Sequence, residues 1–436
     1  MAFITAWLLV AMNSVWPSGG VRWKACAATV LPAPAMFSGT TGRPSSGPMA
    51  SARMRPTMSV TPATATGITR RSGRLGNRSC ARAGAARRGR ASRLRRFGMA
   101  GPFPVRWRTA ARWTAKQPPR QSAGPRERRM TPITLQEPFR AVFYAPFYAA
   151  LARGDYAREG VEVTLREGGI PANAKDAVLA GLADLAWGGP MRILLAHEAD
   201  PASPLRNFGA VVMRDPFFLV GRGARPGFRL SELAGLRLGT VAEVPTPWWT
   251  LQHDIRLAGL DPATVSRVTD RSMAENAAAV LGGRLDVAQL FEPFVTQLED
   301  QGGAIWHAAA GRGPTGYTTF TTTTERLQAR RAEFKAMLRG LARTLAWVAE
   351  SPAEALADCI AGHFPDLPPP VLVRCLARYK AVGLWTADPF YPEDAFTRLE
   401  TAMFTAGAIT RKPGFAATAD NAIVAEALAG WQGRSR

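Results

Sequence analysis

The chain has 436 residues, of which 47% are hydrophobic, so it can bury a sizeable core and is predicted to form two or three domains. Its formal charge of +22 is typical of a nucleic-acid-binding protein, but residues 1–129 hold 24 of the 55 basic residues and a single acid, Glu127. The remainder carries 31 basic and 32 acidic residues, which excludes a general electrostatic affinity for phosphate backbones. We therefore predict no nucleic-acid partner.

Residues 1–129 form an Arg-rich leader without sustained hydrophobic periodicity. The leader cannot bury enough apolar surface to offset its ordering entropy, so we expect it to be disordered. Our preferred interpretation is a start-site artefact with Met130 as the true first residue. A basic tail and a targeting segment are the alternatives. No basic residues precede the apolar run 6–12, and no apolar run follows Arg70 and Arg71, so neither resembles an export signal.

Cysteine and histidine usage indicates neither a disulfide framework nor a metal site. After the leader only Cys359 and Cys375 remain, and the four histidines of the chain are scattered singly. No apolar run after Met130 approaches the length of about 20 residues that a membrane span needs. P-loop, GxGxxG, GxSxG and HExxH motifs are absent, which weakens the corresponding enzyme classes. We predict no cofactor, no metal and no stable membrane insertion.

From Met130 onward, short apolar segments alternate with helical patterns, which is typical of an α/β fold with mostly parallel strands. The first series predicts strands at 133–135, 161–165, 185–187 and within 206–220 around an Asp215-Pro216 turn, and helices that end near Gly160, span 173–179 and follow Pro190. The second series predicts a short helix at 231–233, a strand at 236–239 and a helix capped by Thr246. Helices predominate after Thr324.

An internal repeat relates the two series. Two segments share the order helix end, Gly, two residues, Asp and strand, with Gly181 and Asp184 in the first and Gly283 and Asp286 in the second. The glycines fit helix C-terminal positions that need positive φ, and the aspartates fit structural turn positions. The repeat predicts two similar α/β lobes with a cleft between them.

The helix predicted after Thr324 has a basic face. Apolar residues at helical spacing leave five cations on the outside, namely Arg330, Arg331, Lys335, Arg339 and Arg343. A solvated face is the simpler interpretation, and a docking surface for a partner is the alternative.

The candidate binding residues are aromatic and polar side chains at predicted strand ends, because ligands of open α/β sheets bind beyond the carboxyl ends of the strands. Large aromatic side chains can line a mostly apolar pocket in which a few polar groups set the ligand's orientation, although core packing is the alternative for each of them. The predicted ligand-binding residues are Phe143, Tyr144, Trp187, Gly188, Gly189, Asp215, Phe217, Thr246, Trp248, Glu292 and Tyr317.

Several polar groups could orient a ligand. The two glycines after the strand at 185–187 would let a ligand approach the backbone at a helix N-terminus, where free N–H groups favour anionic or carbonyl oxygens. Arg140, Arg192 and Arg214 lie close to the loops and could pair with an acid group, although a surface role is the simpler interpretation for each. Glu292 could bind an amine or cap a helix.

Five segments together resemble the superfamily of nitrate/sulfonate/taurine-type solute-binding proteins and thiamine-pyrimidine synthases. They are the aromatic loop and helix at 143–163, GLADLAWGGP at 181–190, DPFFLVGR at 215–222, LAGLRLGT at 233–240 and LDVAQLFEPF at 285–294. The resemblance covers nearly all of residues 131–436 and none of the leader. It implies a type II periplasmic-binding-protein (Venus-flytrap) fold, in which two α/β lobes joined by two crossover strands close on a small molecule by hinge motion.

The resemblance also sets the expected domain limits. Lobe 1 is expected to comprise residues 130–220 and about 322–436, including a helical C-terminal part. Lobe 2 is expected to comprise residues 221–321.

The same superfamily includes a pyrimidine synthase that needs an active-site histidine and a cysteine-rich, iron-associated stretch. In the histidine position this chain has Tyr144, followed by Ala145 and Pro146. Where the cysteines would fall it has Tyr-Thr-Thr-Phe-Thr at 317–321. Both departures disfavour the enzyme, and the fold alone does not decide the function.

Two functions follow from the resemblance. The first is a solute-binding protein of an ABC importer, which binds a small organic ligand, anionic or heteroaromatic, in the interlobe cleft without chemistry and has the ABC permease as its partner. The second is a cytoplasmic pyrimidine-precursor (thiamine-related) biosynthetic enzyme or sensor on the same fold. A periplasmic location is implied for the first function. Because the leader contains no convincing signal peptide, a cytoplasmic location stays open.

Overall fold

The computed structural model describes residues 130–168 and 173–432. The predictions about the Arg-rich leader lie outside the described residues. Within those two ranges, no helix combines the length and the apolar character needed to cross a membrane.

The elements follow the alternation predicted from the sequence. The strands are β1 Thr131–Gln136, β2 Val161–Arg166, β3 Leu185–Gly188, β4 Leu205–Val212, β5 Phe218–Arg222, β6 Arg237–Gly239, β7 Ser266–Val268, β8 Val287–Leu290, β9 Gly303–Ala308 and β10 Thr318–Thr323. The α-helices are α1 Ala145–Ala152, α2 Asp155–Arg158, α3 Asn173–Leu179, α4 Met191–Ala199, α5 Thr246–Leu257, α6 Met273–Leu281, α7 Phe294–Glu299, α8 Thr324–Ala329, α9 Arg331–Glu350, α10 Ala353–Ile360, α11 Pro369–Ala381, α12 Glu393–Thr405, α13 Phe415–Thr418 and α14 Ala422–Leu428. Short 3₁₀ turns lie at Val142–Tyr144, Leu230–Gly235, Pro262–Thr264, Ala309–Arg312 and Ala361–His363.

The first sheet has the strand order β2-β1-β3-β10-β4. β1 pairs in parallel with β2 and β3, whereas β10 runs antiparallel between β3 and β4. At the centre of the sheet, Phe320 on β10 lies opposite Trp187 on β3 and Phe208 on β4. All three side chains are fully buried, so the centre of this sheet is an aromatic core.

The second sheet repeats this plan with the order β7-β6-β8-β5-β9. β6 pairs in parallel with β7 and β8, and β5 runs antiparallel between β8 and β9. In each sheet the antiparallel strand, β10 or β5, is the one that the chain forms directly after crossing into that lobe. The two lobes confirm the predicted two-lobed α/β fold.

Two short segments, 213–217 and 309–317, carry the chain between the sheets. They are tied to each other by backbone hydrogen bonds, in which Ala309 donates to Phe217 at 3.1 Å and Thr315 donates to Met213 at 2.8 Å. The domain limits predicted at 220/221 and 321/322 fall inside β5 and β10, a few residues past these segments. The crossing segments are short and lead directly into β5 and β10, so each crossing is continuous with the strand that follows it.

The predicted repeat has a clear structural role. Asp184 accepts a hydrogen bond from the backbone N–H of Thr134 on β1 at 2.8 Å, and Asp286 accepts one from the N–H of Arg237 on β6, also at 2.8 Å. Each aspartate thus fixes the parallel strand next to its own strand. Gly181 and Gly283 have φ values of 71° and 68°, which confirms that these positions need a residue tolerant of the left-handed region.

Two local predictions are corrected. The single helix expected before Gly160 is two helices, α1 and α2, because the backbone at Gly154 is left-handed. Thr246 does not cap α5: Pro245 is the cap residue and already has helical dihedral angles, so the helix begins one residue earlier than predicted and Thr246 is its first residue.

The C-terminal helices pack against both lobes. α11 contacts α7 of the second lobe and the 3₁₀ turn at 142–144 of the first, and α12 contacts α5 of the second lobe and α4 of the first. The hydroxyl of Tyr379 on α11 accepts a hydrogen bond from the N–H of Glu292 at 3.0 Å. The helical C-terminal part therefore contributes to the contact between the lobes.

The five cations of the basic face on α8 and α9 pair within the chain. Arg339 and Arg343 both bond to Glu159 at 2.7 Å, Arg330 pairs with Asp184 at 2.7 Å, and Arg331 and Lys335 pair with Glu426 at 2.6 and 3.5 Å. These ion pairs fix α9 to the first lobe and to α14. The docking-surface alternative gains no support from them.

Candidate functional site

A cavity of about 440 Å³ lies in the cleft between the lobes. Its walls follow the carboxyl ends of the four parallel strands β1, β3, β6 and β8, together with one residue from each crossing segment. It is lined by Pro138, Phe139, Phe143, Tyr144, Gly189, Met191, Arg192, Phe217, Val244, Thr246, Phe291 and Tyr317. Its position is the one expected for ligands of parallel sheets. We refer to it as the cleft cavity.

Aromatic rings from both lobes form most of its wall. The Phe143 and Tyr144 centroids are 4.3 Å apart, and Phe291 of the second lobe contacts Phe143 and Phe217 edge-to-face, each at 5.2 Å. Such rings provide a large apolar contact area at little entropic cost. The cleft cavity therefore suits a ligand with an apolar or aromatic body.

Arg192 supplies the only formal charge among the residues that line the cleft cavity. It is largely withdrawn from solvent, and within the described ranges its guanidinium has neither a carboxylate nor a hydrogen-bond partner. Burial lowers the pKa of Arg192, and the nearby Tyr144 and Asp176 oppose that shift. It also lies in the first turn of α4, where the helix dipole is positive and disfavours a cation. Both effects are relieved by an anion in the cavity.

Two phenols add neutral donors. Tyr144 and Tyr317 are buried, and burial raises the pKa of both hydroxyls, so they stay protonated at neutral pH. The Tyr317 hydroxyl is fully enclosed and lies beside the Asp215 carboxylate.

The structure brings together six of the predicted binding residues at the cleft cavity. They are Phe143, Tyr144, Gly189, Phe217, Thr246 and Tyr317. Each of them lies between a parallel strand and the first turn of the next helix or in a crossing segment.

The other five predicted residues do not line the cleft cavity. Trp187 is fully buried behind it and stacks on Phe147 with centroids 4.7 Å apart, and the neighbouring Gly188 pairs within the sheet. Trp248 packs in the core of the second lobe, where the guanidinium of Arg267 lies 4.2 Å from its ring centroid.

Glu292 and Asp215 are held by groups of the chain itself. Glu292 is fully buried and accepts hydrogen bonds from Arg378 at 2.6 Å and from the Thr296 hydroxyl at 3.0 Å. Asp215 is fully buried in the first crossing segment and pairs with Arg312 of the second crossing segment at 2.8 Å. Neither carboxylate faces the cleft cavity.

The Asp215–Arg312 pair extends to a third residue. Arg312 also bonds to Asp254 on α5 at 2.6 Å, and its side chain is only 4% exposed. Asp215 further accepts from the Thr250 hydroxyl at 3.0 Å. This buried network joins both crossing segments to the second lobe, at the point about which the lobes would move.

Among the three arginines considered from the sequence, only Arg192 faces the cleft cavity. Arg140 bonds to Glu137 and to Glu167, and Arg214 donates to the carbonyl oxygen of Ala310 at 3.0 Å. The signal that could have singled out Arg192 is its place in the first helical turn after a strand, where a cation is unfavourable unless an anion compensates it. Five further residues line the cavity and are not among the predicted ligand-binding residues, namely Pro138, Phe139, Met191, Val244 and Phe291.

Across the described residues, no group of three or more His, Cys, Asp or Glu side chains is arranged to hold a metal ion. No His, Cys, Asp or Glu lines the cleft cavity either. The two cysteines outside the leader are free thiols, and Cys375 is buried beside Glu292 and Thr296.

Comparison with known proteins agrees with this architecture. YtlA of Bacillus subtilis (strain 168), which is named as a binding protein, is 24% identical over 290 residues that cover 65% of this chain and 86% of YtlA. The periplasmic aliphatic sulphonate binding protein SsuA of Escherichia coli superposes with a TM-score of 0.54 at 17% identity, over 64% of this chain and 94% of SsuA. The desulfurization enzyme DSZB superposes with a TM-score of 0.52 at 14% identity, over 68% of this chain and 99% of DSZB.

The structural similarities show a shared fold. This fold occurs both in a binding protein, SsuA, and in an enzyme, DSZB. In sequence, residues 143–355, which include most of the cleft cavity, match the family model described as NMT1/THI5 like. Over this part, just under half of its length, the chain is similar to the NMT1/THI5-like family.

Proposed function

We propose that this protein is a solute-binding protein of an ABC importer and that it binds a small organic anion in the cleft cavity without chemical change. The observation that carries the proposal is Arg192, a largely buried cation without a partner in the described residues, on the wall of an otherwise uncharged aromatic cavity. A charge in such a place is costly unless a ligand pairs with it. The acid group of the ligand is placed against Arg192, and its apolar body against Phe143, Phe217 and Phe291.

The chemistry of the walls supports binding rather than turnover. General acid–base and nucleophilic catalysis use groups such as His, Cys, Asp, Glu or Lys with tuned pKa values. None of these lines the cleft cavity, and the two phenols there have raised pKa values, so they serve as donors rather than as bases. This observation favours the binding protein over the biosynthetic enzyme that the sequence left as the alternative.

The relatives support the same class of function. YtlA is named as a binding protein, and SsuA is named as a periplasmic binding protein for aliphatic sulphonates. On this basis we propose an ABC permease as the protein partner and a location on the side of the membrane from which the permease imports. DSZB shows that enzymes also use this fold, so the proposal rests on Arg192 and the walls rather than on the fold.

The proposal is tested by comparing acids with their neutral amides. Benzenesulfonate and benzoate are expected to raise the midpoint of thermal unfolding of the full chain, whereas benzenesulfonamide and benzamide leave it unchanged. At a ligand concentration of about 100 times Kd, the stabilisation is about 2.7 kcal/mol. Equal stabilisation by an acid and its amide would contradict a charge-based site. Conversion of a bound acid, followed by liquid chromatography, would contradict binding without chemistry.

A further inference from the structure

A second cavity adjoins the cleft cavity and is larger. It encloses about 760 Å³ between the loop after β1, the segment from Phe291 into α7, and the turn at 363–367 before α11. Phe291 lines both cavities, so a single side chain forms part of the wall between them. We refer to it as the tail cavity.

The wall between the cavities is built from both lobes. Phe139 and Phe143 come from the first lobe, and Phe291 comes from the second, with centroid distances to Phe291 of 6.4 and 5.2 Å. Because these rings come from different lobes, a separation of the lobes would pull them apart and join the two cavities.

Gln297, His363 and Asp366 line the tail cavity together with two charged groups, Arg140 and Glu292, that are engaged within the chain. Arg140 donates to Glu137, to Glu167 at 2.6 Å and to the carbonyl oxygen of His363 at 3.1 Å. Glu292 accepts from Arg378 at 2.6 Å. These groups have little capacity left for a second charged or strongly polar ligand group.

Most of the other side chains on the wall of the tail cavity are apolar. Phe291 and Phe294 contribute rings from the second lobe, Val142 comes from the first, and Phe364 and Leu367 come from the C-terminal part. The partly buried Phe364 and Leu367 pack against the main hydrophobic core and keep apolar surface on the cavity side. Filling this space with hydrocarbon removes apolar surface of both partners from water.

We infer that the tail cavity receives the apolar tail of the same ligand whose acid group pairs with Arg192, so that the preferred ligands are extended organic anions rather than compact ones. The inference rests on the proposed function, because it uses the anion site as the anchor. The head group sets the position of the ligand, and the tail extends past Phe291 toward Leu367.

The test is a chain-length series of straight-chain alkanesulfonates, from methanesulfonate to octanesulfonate, titrated into the full chain by calorimetry. Once the tail reaches beyond Phe291, each added methylene is expected to strengthen binding about threefold to fourfold, the factor for burying one CH₂. Leu367→Trp and, independently, Gln297→Trp fill the tail cavity from two sides and are expected to remove this chain-length dependence while leaving methanesulfonate affinity unchanged.

The outcomes separate this inference from the proposed function. If methanesulfonate and octanesulfonate bind equally well, or if both tryptophan variants keep the full chain-length dependence while remaining folded by circular dichroism, the tail cavity is not used and the inference is overturned, although the anion site stands. If no member of the series binds the unmodified chain, the proposed function fails for sulfonates and the inference fails with it.

Discussion

Replacement of Arg192 by methionine is expected to weaken binding of an anionic ligand by about 100-fold or more, equivalent to about 3 kcal/mol. The guanidinium is the only charged group that lines the cleft cavity, so its removal leaves the acid group of the ligand desolvated against aromatic rings. The effect should appear as a change in Kd by calorimetry with the strongest acid found in the acid–amide comparison. Affinity for an uncharged ligand, where one binds, should change little.

The Arg192→Met variant is not expected to lose stability, although it is expected to lose affinity for the anion. Because Arg192 has no partner among the described residues, its loss is expected to leave the unliganded protein as stable as before or slightly more stable. Arg222→Met is the matched control, since Arg222 is exposed at the end of β5 and does not line the cleft cavity. If both Arg192→Met and Arg222→Met bind the anion as tightly as the unmodified chain does, the anion does not bind at Arg192.

Replacement of Arg312 by methionine is expected to lower the free energy of unfolding by about 3–5 kcal/mol. The guanidinium is buried between Asp215 and Asp254, at 2.8 and 2.6 Å, and although burial lowers the pKa of Arg312, the two carboxylates raise it overall. Removal of the cation leaves two carboxylates buried without compensation, next to both crossing segments. Urea unfolding followed by circular dichroism gives the change directly.

Arg237→Met provides the comparison for Arg312. It also removes an arginine paired with an aspartate, Asp286, at 2.8 Å, but its side chain is 50% exposed, so solvent screens the pair and the expected cost is much smaller than that of Arg312→Met. A triple variant with Arg312→Met, Asp215→Asn and Asp254→Asn should recover part of the loss, because no uncompensated charge remains. An equal loss in the free energy of unfolding for Arg312→Met and Arg237→Met would show that burial does not strengthen the pairing of Arg312 with its two aspartates.

The sequence was informative wherever the pattern is local. The apolar strands, the helix at 173–179 and the paired Asp184 and Asp286 were predicted from spacing alone, because a strand and the turn before it are determined within about ten residues. The aromatic loop from Phe143 to Tyr144 was placed at the cleft for the same reason, since it follows a parallel strand directly.

The roles of single side chains were harder to predict because they depend on distant partners. Glu292 is held by Arg378, 86 residues later, and Asp215 by Arg312, 97 residues later, so neither could be recognised as internally paired from its neighbours in sequence. Trp187 and Tyr144 were both predicted to bind the ligand, yet only Tyr144 lines the cleft cavity. The carboxylates that hold Arg140 were not apparent as its partners from the sequence pattern.

The position of α12 has a consequence for how selectivity could change in related proteins. α12 contacts α4 of the first lobe and α5 of the second, and Trp249 on α5 packs into the same cluster as Phe396 on α12. If the lobes separate, this contact has to move with them, and its strength then contributes to the fraction of molecules in the closed state. A change there multiplies the apparent Kd for every ligand by one common factor, whereas a change on the cavity wall alters the ratio between ligands. Overall affinity and ligand preference can thus diverge independently.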